Sequence, residues 1–137
     1  MYLFDTDTLS NIIKKRPSEY LLHKIENMPM DIQFTTSINL GEIYYGAFKS
    51  PKKDKILDAY EMHVFPKINI LFFDDHSAKI YGKTKALLKK KGVGCCEPDL
   101  RIAAVALQHK LTLITGNTAH FKSIPKLKIE NWIKYEE

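Results

Sequence analysis

The sequence predicts an α/β protein with three layers, α/β/α, around a mostly parallel central sheet. Five short runs of β character stand along the chain: MYLF, IQFTT, INILFF, LTLIT and KLKI. Between the first four lie segments whose apolar residues recur at helical spacing. Strands alternating with helices are the pattern of a parallel sheet, because a parallel pair needs a crossover and the crossover is usually a helix.

Taken in order, MYLF runs directly into Asp5 and Asp7, so the first strand ends in carboxylates. Leu9, Ile12 and Ile13 share a helical face that KKRP ends, and Leu21, Leu22 and Ile25 form a second helix that stops before Pro29. IQFTT is the second strand, and the Ser or Thr of TTSINLGEIYYGA caps the helix after it. Ser50 and Pro51 read as an N-cap and first turn, opening a helix through Ile56 and Tyr60 to Pro66. After INILFF, Asp75 reads as the cap of a helix that runs to the lysines before Gly92. In CCEPDLRIAAVALQH, Pro98 suits a first turn, and Ile102 to Leu107 leave almost no polar face, so this helix is expected to be buried. The strand C-terminal ends should gather along one edge, where such sheets bind ligands.

A chain of 137 residues is expected to form one domain, 1–137, with no repeat or linker. Apolar runs such as INILFF are too short to span a bilayer, and Asp5 and Asp7 interrupt any signal-peptide core. A cytoplasmic location is the expectation. Cys95 and Cys96 are adjacent, which excludes an ordinary disulfide framework, and they read as packing residues. With 21 Lys and Arg against 16 Asp and Glu, the net charge of +5 suggests an anionic partner. The basic runs at 14–16, 52–53 and 89–91 lie near helix ends, where lysine also suits the dipole and solubility.

Three acids stand at strand or helix termini. Asp5 follows the first strand. Glu42 shares a helical face with Ile38 and Tyr45, or else points to solvent beside Asn39. Asp99 lies in the first turn of the buried helix, where the dipole alone would favour it. Brought to one edge, two carboxylates about 5 Å apart repel by roughly 3 kcal/mol at an effective dielectric near 20. A divalent cation removes that cost, and oxygen-only ligands favour Mg2+ or Mn2+ over zinc.

In order and spacing the chain resembles a PIN-domain ribonuclease, specifically the VapC-type toxin of bacterial toxin–antitoxin pairs. The resemblance rests on FDTDTLS, SINLGEIYYG, DLRIAAVALQHKLTLIT, GNTAHFKSIP and IENW, and runs over nearly the whole length. It implies that Asp5, Glu42 and Asp99 hold the metal and carry catalysis, with Mg2+ as cofactor and Mn2+ as a substitute. Asp7 stands where the family usually has Asn, and His120 where many relatives have a fourth acid. Thr6, Asp7, Asn117 and His120 are then supporting residues. The implied reaction is attack of an activated water on an RNA phosphodiester. Lys14, Lys15, Arg16, Lys52 and Lys53 would meet the RNA backbone. A cognate antitoxin and a homodimer are the implied partners.

Two rivals stay open at this stage. FDTDT also matches the D-x-D-x-T loop of haloacid-dehalogenase-type phosphatases, in which the first Asp attacks phosphorus and the second acts as acid and base. A non-catalytic RNA- or protein-binding module, with the acids serving only as caps, is the other.

Overall fold

The computed structural model describes residues 1–133. The last four residues of the expected 1–137 domain lie outside the described residues.

Five strands form one parallel sheet: β1 (Tyr2–Phe4), β2 (Gln33–Thr36), β3 (Asn69–Leu71), β4 (Thr112–Ile114) and β5 (Ile129–Glu130). Their order is β3-β2-β1-β4-β5, and every neighbouring pair is parallel. The α1 helix (Thr6–Ile12), α2 (Glu19–Glu26), α3 (Ser37–Phe48), α4 (Lys53–His63), α5 (Asp75–Lys90), α6 (Glu97–His109) and α7 (Thr118–Phe121) complete the fold.

Strand alternation sets the layers. Side chains point to opposite faces along a strand, so Leu3 and Leu113 enter a core with α5 and α6, including Leu88, Leu100 and Val105. Their neighbours Phe4 and Ile114 enter the other core, with Leu9, Leu21, Tyr60 and Trp132. The α6 helix is buried as expected: Ile102 to Ala106 are at most 1% exposed. Its apolar run has no polar face to offer to water.

Several local expectations shift. Ser50 does not cap a helix; its Oγ accepts from the Lys52 N–H at 3.1 Å in a turn, and α4 begins at Lys53 without a side-chain cap. The cap of α5 is Asp74, not Asp75. Asp74 Oδ1 accepts from the Ser77 N–H at 3.0 Å while Ser77 Oγ accepts from the Asp74 N–H at 2.9 Å, a reciprocal box that requires a partner three residues on. KLKI pairs only at its end, because Lys126 turns through a positive φ of 67° before Ile129. Cys95 packs on the α6 core, whereas Cys96 is exposed at the N-cap of α6. No helix among the described residues is long and apolar enough to cross a membrane.

Candidate active site

Strand order reverses between β1 and β4, and in open parallel sheets the crevice at such a switch point is where ligands bind. Asp5 leaves β1 there, and Thr115, Gly116 and Asn117 leave β4 beside it. Asp5 extends the β1–β4 pairing, its N–H donating to the Ile114 carbonyl at 2.9 Å. It is also the N-cap of α1 and is only 5% exposed.

Three donors, one each from α1, α3 and the end of β4, hold the Asp5 carboxylate. The Thr6 N–H donates to Oδ1 at 2.9 Å, Asn39 Nδ2 to the same oxygen at 3.0 Å, and Thr115 Oγ1 to Oδ2 at 2.8 Å. Asn39 Nδ2 also donates to Thr6 Oγ1 at 3.0 Å, and Thr6 Oγ1 donates to Glu42 Oε1 at 2.8 Å. Glu42 thus joins the site through Thr6, on the exposed side of α3. Asn39 does not face solvent; it is fully buried at the third position of α3. There it forms a capping box with Thr36, whose Oγ1 donates to Asn39 Oδ1 at 2.6 Å.

Electrostatics single out Asp5. Burial pushes its pKa from 3.8 up to about 6. The Thr115 and Thr6 hydrogen bonds oppose that rise, and the charges of Asp7 and Asp99 add to it. Asp5 and Asp99 therefore feel one another, although β1 and α6 bring them in from far apart in sequence.

Asp99 is mostly covered, and its Oδ2 stands 3.2 Å from His120 Nδ1. The resemblance implied that His120 supports the site; its contact is with Asp99, from the exposed side of α7. Both line a cleft of about 370 Å³ with Val93, Gly94 and Cys95. Asn117 is exposed on the β4 loop, and its N–H donates to Thr115 Oγ1 at 3.0 Å. Glu97, two residues before Asp99, is turned away from the cluster, bonded to Tyr81 and Lys85, with Arg101 3.7 Å away.

Asp7 is tied down. Its Oδ2 accepts from the Gly116 N–H at 2.9 Å, and Thr8 and Thr115 hydroxyls approach its Oδ1 at 3.4 Å. A carboxylate held against backbone is badly placed for the mobile acid–base work that the phosphatase reading needs. An amide could keep the same bonds, its oxygen toward Gly116. Gly116 itself permits this approach: a Cβ there would sit 2.8 Å from Asp7 Oδ2 and against Ile133. Gly116→Ala is expected to destabilise the protein by about 1–3 kcal/mol through overpacking. A denaturant midpoint equal to that of the unaltered protein would contradict this.

No three His, Cys, Asp or Glu side chains among the described residues are grouped closely enough to hold a metal ion by themselves. The Lys14–Arg16 run is exposed beyond α1, about 10 Å of helix from Asp5, and Lys52 and Lys53 are exposed at the start of α4.

An all-parallel sheet with Asp5 and Asp7 at its switch point defines the class: an α/β protein with an anionic crevice between β1 and β4. The PIN domain model matches residues 2–127. The chain is 33% identical over 132 residues to Ribonuclease VapC2 of Haemophilus influenzae, covering 96% of this chain and 98% of that protein. It is 30% identical to the tRNA(fMet)-specific endonuclease VapC of Salmonella typhimurium, covering 96% and 97%. The crystal structure of VapBC2 from Rickettsia felis bound to a promoter DNA fragment contains a chain that superposes with a TM-score of 0.87. That chain is 30% identical, with 96% and 98% covered. The protein belongs to the PIN domain family, among the VapC ribonucleases.

Proposed function

We propose that this chain is a metal-dependent endoribonuclease toxin that hydrolyses RNA phosphodiester bonds and is restrained by a cognate antitoxin. The observation that carries the reading is Asp5. It is a carboxylate at the switch point, held by three hydrogen-bond donors and destabilised when charged by its burial and by the nearby charges of Asp7 and Asp99. The tRNA specificity in the name of the Salmonella relative makes a folded RNA the first substrate to try.

Asp5, Asp99 and Glu42 would hold Mg2+, with Mn2+ as a substitute. The donor set fits a hard cation: all oxygens, few of them, and water available. Magnesium is commonly held by one or two carboxylates with several retained waters and the substrate's phosphate, so no closed cage of three acids is required. When bound, such an ion lowers the pKa of a coordinated water and offsets charge on the phosphate.

The chain's own residues do the rest. Asn39, Thr6 and Thr115 fix both oxygens of Asp5 so that its direction does not depend on the ligand. Thr6 orients Glu42 toward the same edge. His120 steadies Asp99. Exposed Lys14, Lys15, Arg16, Lys52 and Lys53 would draw the RNA backbone toward the crevice. Exposed apolar side chains such as Tyr45 and Phe48 on α3 support a homodimer. A cytoplasmic site of action accords with these partners. We take the described residues as one nuclease unit within the domain 1–137.

The test is cleavage of labelled tRNA and single-stranded RNA with Mg2+, Mn2+ or chelator. Asp99→Asn should lower the rate by at least about 100-fold, since it removes a ligand acting in the transition state. Asp7→Asn should stay within about threefold, because Asn can keep the Gly116 and threonine bonds. A dead Asp7→Asn together with phosphatase turnover would return the site to the rival chemistry. Undiminished cleavage by Asp99→Asn would remove the nuclease centre.

A further inference from the structure

A second surface lies at the sheet edge opposite the carboxylates. Ile80, Lys83, Thr84 and Leu87 stand at i, i+3, i+4 and i+7 on α5, one continuous helical stripe. The stripe borders the buried face of α5 at Ser77 and Leu88: Ile80 and Thr84 are half-buried along that border, and Lys83 and Leu87 are exposed on its outer side. It forms one wall of an open groove of about 570 Å³. The end of α6 supplies Leu107 and Lys110, and the approach to β5 supplies Pro125, Lys126 and Lys128.

The groove has a definite chemistry. Its floor is aliphatic, and Leu87 is 40% exposed. Lys83, Lys110, Lys126 and Lys128 are exposed around it, and none of them makes an ion pair among the described residues. No carboxylate and no aromatic ring lines it. Lys110 and Lys126, with φ of 56° and 67°, are the non-glycine residues with positive φ among the described residues. Glycine or asparagine adopts that conformation with less strain, and glycine is the usual residue where a helix ends as α6 does at Lys110. At both positions the backbone is strained and the side chain is a cation on the rim of one groove.

We propose that this groove docks an acidic amphipathic helix of a partner protein, with aliphatic side chains at helical spacing on the floor and Asp or Glu on the lysines. Charge complementarity selects the acid, and the aliphatic floor selects a peptide over RNA, whose bases would find no ring to stack on. Lys110 and Leu111 precede β4, whereas Thr115 follows it, so the occupant would leave the carboxylate edge open. The inference stands independently of the nuclease reading.

The probe is a fluorescein-labelled peptide of about 18 residues, with Leu at i, i+3, i+4 and i+7 and Glu on both flanks. Saturable anisotropy with the full chain is expected, weakened about tenfold by Leu87→Glu and by Lys83→Glu. Lys126→Gly relieves backbone strain and should retain the melting temperature while weakening binding, which separates docking from folding. Amide shifts should move at 80–87 and 106–111 and stay fixed at 5–7. The proposal is overturned by absent binding, by equal binding of a scrambled peptide, or by shifts at the carboxylate edge. Displacement by a single-stranded uridine oligonucleotide that ignores Leu87→Glu would overturn it in favour of RNA.

Discussion

Asp5→Asn should yield a protein that melts higher and no longer cleaves RNA. Burial and the charges of Asp7 and Asp99 raise the folded-state pKa of Asp5 to about 6 from 3.8. For a raised acid, the linked stability is full below the unfolded value and is lost as pH rises through the folded one. At pH 7.5 the ionised side chain therefore costs about 3 kcal/mol, each pKa unit being 1.36 kcal/mol. Asn removes the charge and keeps the fit. Its oxygen accepts from the Thr6 N–H and Asn39, and its amide donates to Thr115 Oγ1, which can then donate to Asp7.

Allowing for weaker neutral hydrogen bonds, the net gain is about 2 kcal/mol, or roughly 5–10 °C in chelator at pH 7.5. Three comparisons check it. Stability of the unaltered protein should rise as pH falls from about 6 toward 3.8, relative to the variant. Asp74, held below the ordinary carboxylate range by the Ser77 N–H, and Glu97, lowered by Lys85, act in the opposite sense. Both are common to the two proteins and cancel in the difference. Millimolar Mg2+ should stabilise the unaltered protein by mass action and the variant far less. A variant that melts at or below the unaltered protein in chelator would contradict the buried-charge account. An equal Mg2+ response in both would take the ion away from Asp5.

Asn39→Ala is expected to be the costliest change outside the apolar core. It removes the capping box of α3, worth about 1 kcal/mol, and leaves Thr36 and the Asp5 carboxylate short of buried partners, at about 1–3 kcal/mol. The total is roughly 3 kcal/mol, a fall of about 10 °C. Asn39→Asp should be worse at neutral pH, because it sets a second carboxylate where Asn39 Nδ2 now stands 3.0 Å from Asp5 Oδ1. It should recover on acidification, as one of the pair takes a proton. If alanine and aspartate variants melt alike from pH 5 to pH 8, Asn39 serves α3 alone and does not support Asp5.

The local signals that carried the fold were strong ones. IAAVA admits no exposed face, and LTLIT has the length and composition of a buried strand. Where boundaries moved, a competing local bond decided: Ser77 made Asp74 the cap, and Ser50 closed a turn. The capping Ser or Thr before α3 was legible, but the capping box that Asn39 completes was not, and Asn39 was expected beside solvent. Its reach to Asp5 was hidden as well, because nothing in SINLGE records which strand end lies opposite. His120 was named from the resemblance alone; its partner, Asp99, follows from α7 being seated beside the start of α6.

The sequence by itself determined the α/β alternation, the buried α6 helix and the positions of the acids at element ends, because periodicity, caps and prolines act over a few residues. The tertiary structure alone decided that the β1 and β4 ends form the crevice, that Asn39 and Thr115 grip Asp5, that Glu42 joins through Thr6, and that four lysines ring one groove. Those are contacts between residues distant along the chain. Their geometry follows from how strands pair and helices cross over, which no short stretch encodes.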